Sequence, residues 1–287
     1  MQIGRRLEAL LLAPLGVLLA GALIVPAGIL FYYSLYRFAF LELYGGATVG
    51  NYTDALTSAT YRVYARNTLW IALPTTAVSV VAGYLLAYYL VFGRSWRRNL
   101  VFALVLSALM ASYLVRIYAW KTLLGSSGIL NSALTSAGVV DEPIGFLLFS
   151  RVSVILAEIN LFTPFAALAF YAALAGISPD YREVSRDLGA GQLQTLWRVT
   201  LPLSGRAILA TTAVVFFLAS SDYVTPTLVG GPDSQTIGVV ISTAFGTTLQ
   251  YGLGAALSFL TLLAFVLAYV CLRAAMRVTR ILPKTVA

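Results

Sequence analysis

Long apolar runs with charges only near their ends constrain this chain more than any other feature. A bilayer core is about 30 Å thick and takes about 20 helical residues to cross. Only 10% of the residues are charged, against roughly 25% in soluble domains. We therefore predict an all-α membrane protein with six transmembrane helices in a single membrane domain, residues 1–287. The predicted spans are residues 9–36, 67–93, 100–120, 152–177, 207–225 and 253–275.

The first apolar run could also be read as a secretory signal, since Arg5 and Arg6 precede it and Ala20-Gly21-Ala22 resembles a cleavage site. Apolar sequence continues from there to Tyr33, which a cleaved signal would not need. We favour an uncleaved helix.

The basic residues predict the orientation of the spans. With the N-terminus inside, the inner segments hold thirteen of the nineteen Lys and Arg but only four of the eleven Asp and Glu. Because positive loops stay in the cytoplasm, both termini are expected there, and the net charge of +8 indicates topology rather than a nucleic-acid partner. The inner basic residues are Arg5, Arg6, Arg94, Arg97, Arg98, Arg182, Arg186, Arg198, Arg206, Arg273, Arg277, Arg280 and Lys284.

Missing residue types exclude much chemistry. The chain has no His and one Cys, Cys271, so it can form neither a His-dependent nucleophile nor a thiolate cluster, and no metal site is predicted. Its two lysines follow Trp120 and Pro283, which excludes a Gly-Lys-Ser/Thr phosphate loop. We therefore expect a chain that is not an enzyme and binds no cofactor. If ATP drives it, another chain must bind the nucleotide.

The predicted cytoplasmic loop, residues 178–206, reads as two short helices joined at a glycine. Ser178 suits the N-cap, Pro179 the first helical position and Gly189 the terminator. A second helix is predicted from Gln192 to Leu201, before Pro202. Its apolar face consists of Leu193, Leu196 and Trp197. Such a loop could dock onto a partner protein or lie on lipid headgroups, and the residues by themselves leave both readings open.

The same loop resembles the EAA loop of the permease subunits of binding-protein-dependent ABC importers. That pattern is Glu-Ala-Ala, three residues, Gly, nine residues, then Ile-x-Leu-Pro. Glu183-Val184-Ser185, Gly189 and Val199-Thr200-Leu201-Pro202 reproduce the spacing, with Val184, Ser185 and Val199 as departures. The resemblance implies the type I importer permease fold and a multi-pass position in the inner membrane of a prokaryote.

Other segments are similar to the spermidine/putrescine branch of that family, in particular to its first permease. This implies a permease subunit for polyamines or a related small amine-bearing solute. The alternatives are another small solute, such as an amino acid, opine, phosphonate or thiamine-like compound, or an ion-coupled secondary transporter, which would not explain the loop. The segments are Val115–Lys121, Gly128–Asn131, Asp187–Ala190, Asp222–Pro226, Leu228–Pro232 and Gly254–Ser258.

The resemblance also implies partners and roles. Two ATPase subunits, with ATP and Mg, would bind the EAA loops. A second permease, either a different chain or a second copy, and an extracytoplasmic solute-binding protein would complete the importer. We expect Glu183 and Asp187 to cap or form salt bridges at the ATPase contact and Gly189 to form the turn. The apolar anchor would be Leu193, Leu196 and Trp197, and the motif ends at Leu201 and Pro202.

Three charged residues fall in the outer third of the predicted spans: Arg116, Glu158 and Asp222. Intramembrane charges are costly and are usually paired or line a polar path. We expect Arg116 to pair with one of the two acids, and the sequence leaves open which one. The other carboxylate would be free to meet a cationic solute, or a proton in a secondary transporter.

Aromatic side chains accompany these charges and suit an amine-bearing solute through cation–π contacts. Together with the three charges, Tyr118, Trp120 and Tyr223 form the predicted substrate path or gate, and Tyr113 lies close in sequence. Glu158 and Asn160 are about 200° apart around a helix, so only one of them can face a given path.

Overall fold

A computed structural model describes residues 2–39, 42–93, 95–279 and 281. Three basic residues used to predict the orientation, Arg94, Arg280 and Lys284, lie outside the described residues. The elements are α1 (Gln2–Ser34), β1 (Arg37–Ala39), β2 (Glu42–Tyr44), α2 (Gly50–Thr57), α3 (Ala59–Phe92), α4 (Ser95–Met110), α5 (Tyr113–Leu124), α6 (Ile129–Ser136), a 3-10 turn (Gly145–Leu147), α7 (Arg151–Ala175), α8 (Asp180–Asp187), α9 (Gln192–Thr195), a π-helical turn (Leu196–Thr200), α10 (Leu201–Leu203), α11 (Gly205–Ser221), α12 (Val224–Val229), a 3-10 turn (Pro232–Ser234), α13 (Ile237–Gly246) and α14 (Tyr251–Val278).

Within the described residues, four helices are long and apolar enough to cross a bilayer without a break. Two bent helix pairs also qualify when each pair is taken as one span. The six predicted runs therefore fall on four unbroken candidate spans and two bent helix pairs. The unbroken spans are Ala13–Ser34, Ala59–Phe92, Arg151–Ala175 and Tyr251–Val278, and the bent pairs are Trp96–Met110 with Tyr113–Ser136 and Gln192–Leu203 with Gly205–Ser221.

The third predicted span, residues 100–120, is wrong as one continuous helix. The chain bends by 99° between α4 and α5, where Ser112 has extended backbone angles (φ −55°, ψ 136°). No Pro or Gly marks the break in the sequence. Instead, Tyr113 just beyond it bonds to residues more than 100 positions away, so tertiary contacts stabilise the bend. The depth of Arg116 predicted from a straight helix does not hold.

The fifth span also differs from the prediction of residues 207–225. The α11 helix begins at Gly205 and ends at Ser221, and Asp222 is extended before α12 begins. The second loop helix does not stop before Pro202 but continues to Leu203, and the chain then bends by 72° into α11. Pro202 removes one backbone N–H from this continuous helical segment, one residue before it ends at Leu203.

The chain divides into two compact units, one of which contains the chain up to Arg62 together with Val240–Leu262. In this unit Arg37 pairs with Tyr44 in the antiparallel hairpin. The Asn51 amide donates to the carbonyl oxygens of Ser34 and Tyr36, at 2.9 and 2.8 Å, and so fixes the chain where α1 ends.

The second unit contains Val63–Val239 and the chain from Leu263, and its core surrounds α7. The α4, α5, α11 and α12 helices pack against α7. The α3 helix approaches it closely at Gly83, where an added Cβ would lie 2.6 Å from the Ala166 Cβ. Small residues allow such close helix approach in membranes.

Candidate functional sites

The 178–206 loop has the predicted helix–glycine–helix geometry. The α8 helix ends in a Schellman arrangement, in which the Gly189 N–H donates to the Arg186 carbonyl at 2.8 Å and the Ala190 N–H donates to the Ser185 carbonyl at 3.0 Å. Gly189 has φ +83°, a conformation that side-chain-bearing residues rarely adopt. The prediction that Gly189 terminates the first loop helix is confirmed.

Large apolar side chains are exposed on both helices of the 178–206 loop. On α8 these are Tyr181, Val184 and Leu188, at positions i, i+3 and i+7 of one stripe, and Leu188 is 83% exposed. A groove of about 780 Å³ runs between the two loop helices, lined by Tyr181, Val184 and Leu188 among others. Five large apolar side chains on such a short exposed loop indicate a surface that another surface covers. The remaining two are Leu193 and Trp197.

The three residues of the predicted apolar anchor do not share one face: two are exposed and one is directed toward the core. Leu193 and Trp197 are 67% and 61% exposed, whereas Leu196 is half-buried and packs against the core of the second unit. Leu196 begins the π-helical turn, whose wider spacing changes which residues share a face. Leu201 also packs against that core, and Pro202 is half-buried.

Glu183 and Asp187 are both exposed, one turn apart on α8. Neither makes a hydrogen bond or ion pair within the described part of the chain. The two loop helices are held together instead by the hydroxyl groups of Ser185 and Thr195, which lie 3.0 Å apart. The two carboxylates are therefore available to a partner.

Asp222, at the other candidate site, is satisfied by four donors. Its Oδ1 accepts from the backbone N–H groups of Val224 and Thr225 at 2.9 and 3.2 Å. Its Oδ2 accepts from the Thr225 hydroxyl at 2.5 Å and from the Tyr113 hydroxyl at 2.6 Å. Asp222 thus caps α12 and ties it to α5, a structural role that the sequence did not reveal.

A groove of about 460 Å³ opens beside Asp222. Its lining combines this carboxylate with aromatic rings and apolar side chains of α5, α7, α11 and α12. The aromatic members are Tyr113, Phe162, Phe217 and Tyr223. We refer to these residues with Asp222 as the Asp222 groove. Sequence reasoning did not select Phe162 and Phe217, because neither lies near a charge in the sequence.

Arg116 does not form the predicted ion pair. The one salt bridge within the described residues joins Arg37 to Asp54. The Nε and Nη1 atoms of Arg116 are buried without a hydrogen-bond partner. Neither of the two acids that were expected to pair with Arg116 does so. Asp222 caps α12. Glu158 is buried and forms no ion pair with any described residue.

Glu158 is fully buried on α7, and neither carboxylate oxygen has a hydrogen-bond partner. Thr75 of α3 approaches it without completing a hydrogen bond. Asn160 is exposed, as expected for a residue on the opposite face. The unsatisfied acid predicted from the sequence is therefore Glu158 rather than Asp222.

The remaining predicted path residues are placed differently. Tyr223 is 48% exposed and lines the Asp222 groove. Tyr118 is 54% exposed and Trp120 packs against the core, and neither belongs to the groove lining. Within the described residues, no three of the His, Cys, Asp and Glu side chains are grouped to hold a metal ion.

Four unbroken candidate spans, two bent helix pairs and an exposed helix–glycine–helix loop are the features of a multi-span membrane permease subunit. The chain belongs to the family of binding-protein-dependent transport system inner membrane components, whose pattern matches residues 46–280. It is therefore an inner membrane component of a transport system, and the predictions of location and of a non-catalytic subunit agree with this family.

Named relatives cover most of the chain. It is 32% identical over 228 residues to the spermidine/putrescine transport system permease protein PotB of Haemophilus influenzae, covering 79% of both chains. It is 32% identical over 211 residues to PotB of Escherichia coli, covering 74% of this chain and 76% of the relative. A putative 2-aminoethylphosphonate transport system permease protein, PhnU of Salmonella typhi, is 29% identical over 61% of both chains.

The fold is similar to that of a bacterial ABC transporter involved in the import of the acidic polysaccharide alginate. The two chains superpose with a TM-score of 0.77 over 96% of each, at 19% sequence identity. The predicted all-α importer permease fold is confirmed.

Proposed function

We propose that this permease imports a small amine-bearing solute, with polyamines of the spermidine/putrescine type as the favoured cargo. The relatives named for spermidine and putrescine support this choice. The observation that carries it is the Asp222 groove, where a carboxylate lies among four aromatic rings. A cationic amine is attracted both to a carboxylate and to aromatic faces.

Glu158 would supply a second carboxyl group for a solute with more than one amine. Burying an unpaired carboxylate is strongly unfavourable, so an incoming cation would stabilise this position. Because Glu158 is fully buried, the helices around it must move before a solute reaches it. We assign Glu158 to a step after the solute enters the Asp222 groove.

Transport would be driven by two partner ATPase subunits that hold ATP and Mg and engage the 178–206 loop. The exposed side chains of Tyr181, Val184, Leu193 and Trp197 would meet one subunit, and Glu183 and Asp187 would pair with its basic groups. The loop would then lie in the cytoplasm with both termini. A second permease and an extracytoplasmic solute-binding protein would complete the complex.

Solute-stimulated ATP hydrolysis by the reconstituted complex tests this function. The panel is putrescine, spermidine, amino acids, phosphonates and sugars, each presented with the binding protein. We expect stimulation by the polyamines and a loss of that stimulation in Asp222→Asn. Stimulation only by anionic or neutral solutes would contradict the proposal.

One observation favours a second candidate, a zwitterionic aminophosphonate. Arg116 has two buried nitrogen atoms without partners, and a phosphonate could bind them. A relative named for 2-aminoethylphosphonate supports this alternative. Stimulation by 2-aminoethylphosphonate that is lost in Arg116→Gln, with no response to spermidine, would favour it.

A further inference from the structure

Three aromatic side chains lie one helical turn apart on α3, at the end near the 178–206 loop. Tyr84, Tyr88 and Phe92 occupy positions i, i+4 and i+8 and so share one face. The Tyr88 and Phe92 rings lie 4.8 Å apart, and Tyr84 packs edge-on against Phe170 of α7 at 5.2 Å. We refer to these three residues as the aromatic stripe.

Arg182 of α8 fastens the loop to this stripe. Its guanidinium carbon lies 3.6 Å from the Phe92 ring centroid and 5.6 Å from that of Tyr88. Its Nη2 donates to the Tyr88 hydroxyl at 3.4 Å, and its Nε is buried without a hydrogen-bond partner. The charged group is therefore directed toward α3, unlike the exposed Glu183 beside it.

A second contact joins the stripe to the other end of the loop. The hydroxyl groups of Tyr84 and Ser204 lie 2.9 Å apart in the interior. Since Ser204 donates its proton to the Thr200 carbonyl at 2.8 Å, Tyr84 is the donor in the shared bond. Ser204 lies at the bend between α10 and α11, so both loop helices are attached to α3.

The opposite end of α3 is bonded to the segment that follows the Asp222 groove. The Asn67 amide donates to the Gln235 carbonyl at 3.1 Å, and the Ile237 N–H donates to the Thr68 hydroxyl at 2.9 Å. Thr236, between these two partners, donates its hydroxyl proton to the Asp222 backbone carbonyl at 3.4 Å. One helix thus contacts the 178–206 loop directly and reaches the Asp222 groove through the segment from Gln235 to Ile237.

We propose that α3 transmits movement of the 178–206 loop to the Asp222 groove, and that Arg182 is the positioning residue that holds the loop on this helix. Thr68 and Tyr88 are about 30 Å apart along an α-helix, which matches the thickness of a bilayer core. The α3 helix is continuous from Ala59 to Phe92, although Pro74 removes one hydrogen bond. The inference rests on the proposed function, in which an ATPase moves this loop.

The test compares the complex with its ATPase subunits before and after vanadate trapping. The exposed Cys271 is first replaced by Ser, and Thr227→Cys places a thiol at the exposed position of α12. We expect the thiol labelling rate to change on trapping. In Arg182→Gln the change in labelling rate on trapping should be about fivefold smaller, the effect of losing one partly desolvated cation–π contact. Vanadate trapping itself and co-purification of the ATPase should persist.

A double-mutant cycle separates this role from direct binding of the ATPase by Arg182. Phe92→Leu removes the α3 ring that Arg182 contacts. Tyr89→Leu is the matched control, because Tyr89 lies about 100° around the helix from Tyr88 and so is outside the aromatic stripe. Phe92→Leu should reproduce the loss seen in Arg182→Gln, and the double variant should be no worse than either single one. Arg182→Lys should recover part of the response, because it keeps the charge without the planar group.

Additive effects of Arg182→Gln and Phe92→Leu, or loss of ATPase co-purification in Arg182→Gln alone, would overturn the inference. So would an unchanged labelling response in Arg182→Gln or no response in the parent complex. Because the readout uses no solute, these outcomes are independent of the cargo. Failure of the parent chain to retain an ATPase subunit would instead overturn the proposed function itself.

Discussion

The Tyr113 hydroxyl donates to the Asp222 carboxylate at 2.6 Å and so joins the bend in the third span to the start of α12. Tyr113 is the first residue of α5, and Asp222 follows the last residue of α11. One hydrogen bond therefore fixes two breaks in apparently continuous apolar runs, and both breaks line the same groove.

Tyr113→Phe should weaken this junction without changing the shape of the side chain. Asp222 keeps its other three donors, so we expect a loss of about 1 kcal/mol in the free energy of unfolding. Thermal unfolding of the purified protein measures this change. Tyr118→Phe is the control, since Tyr118 is 54% exposed, and an equal loss in both variants would contradict the role of the bond.

Substitutions of Asp222 separate its capping role from its charge. Asn retains a side-chain oxygen that can accept from the Val224 and Thr225 N–H groups, whereas Ala cannot. We expect Asp222→Ala, which removes the acceptor of all four donors, to lose about 2–3 kcal/mol of stability, more than Tyr113→Phe. Asp222→Asn should lose less, because it keeps the acceptor for the two N–H groups. Both variants should lose polyamine-stimulated ATP hydrolysis. Full stimulation in Asp222→Asn would show that the charge plays no part in recognition.

Glu158→Gln should leave the protein at least as stable as the parent. It removes a buried group that has no partner while keeping nearly the same volume. Polyamine uptake into proteoliposomes should nevertheless fall about tenfold, the effect of losing one charge-assisted contact. Asn160→Gln on the exposed face is the matched control. A destabilised Glu158→Gln protein would indicate that the carboxylate is structural.

We expect coupling to require Gly189 because of its left-handed backbone conformation, and not because a side chain at this position would clash with neighbouring atoms. No atom lies within 4 Å of a Cβ added there, but φ is +83°. We expect Gly189→Val to strain the turn by about 1–2 kcal/mol and to abolish transport-coupled ATP hydrolysis, while membrane insertion persists. Gly189→Asn should retain more coupling, because Asn tolerates this conformation.

Gly191 supplies the control for the loop. It also has open space around it, but its φ of −68° is accessible to any residue. Gly191→Val should therefore keep most of the coupling that Gly189→Val loses. Equal effects of the two substitutions, measured as ATP hydrolysis in reconstituted vesicles, would contradict the backbone argument.

Local patterns predicted the α8 helix and its end at Gly189 because capping and termination depend on residues a few positions apart. They did not predict the inward position of Leu196, because a π-helical turn changes the phase of the helix. The local patterns also predicted an ion pair between Arg116 and an acid from charge alone. In the structure the Asp222 carboxylate instead accepts hydrogen bonds from α5 and α12.

The sequence by itself determined that the chain spans a membrane and which loop resembles the EAA loop. These properties follow from the length of apolar runs and from residue spacing, both of which are local. Only the tertiary structure decided where the third and fifth runs break, which acid remains unsatisfied and which helix is bonded both to the 178–206 loop and to the segment after Asp222. Those outcomes depend on hydrogen bonds between residues far apart in the sequence, such as Tyr113 with Asp222 and Asn67 with Gln235, whose geometry a linear pattern does not contain.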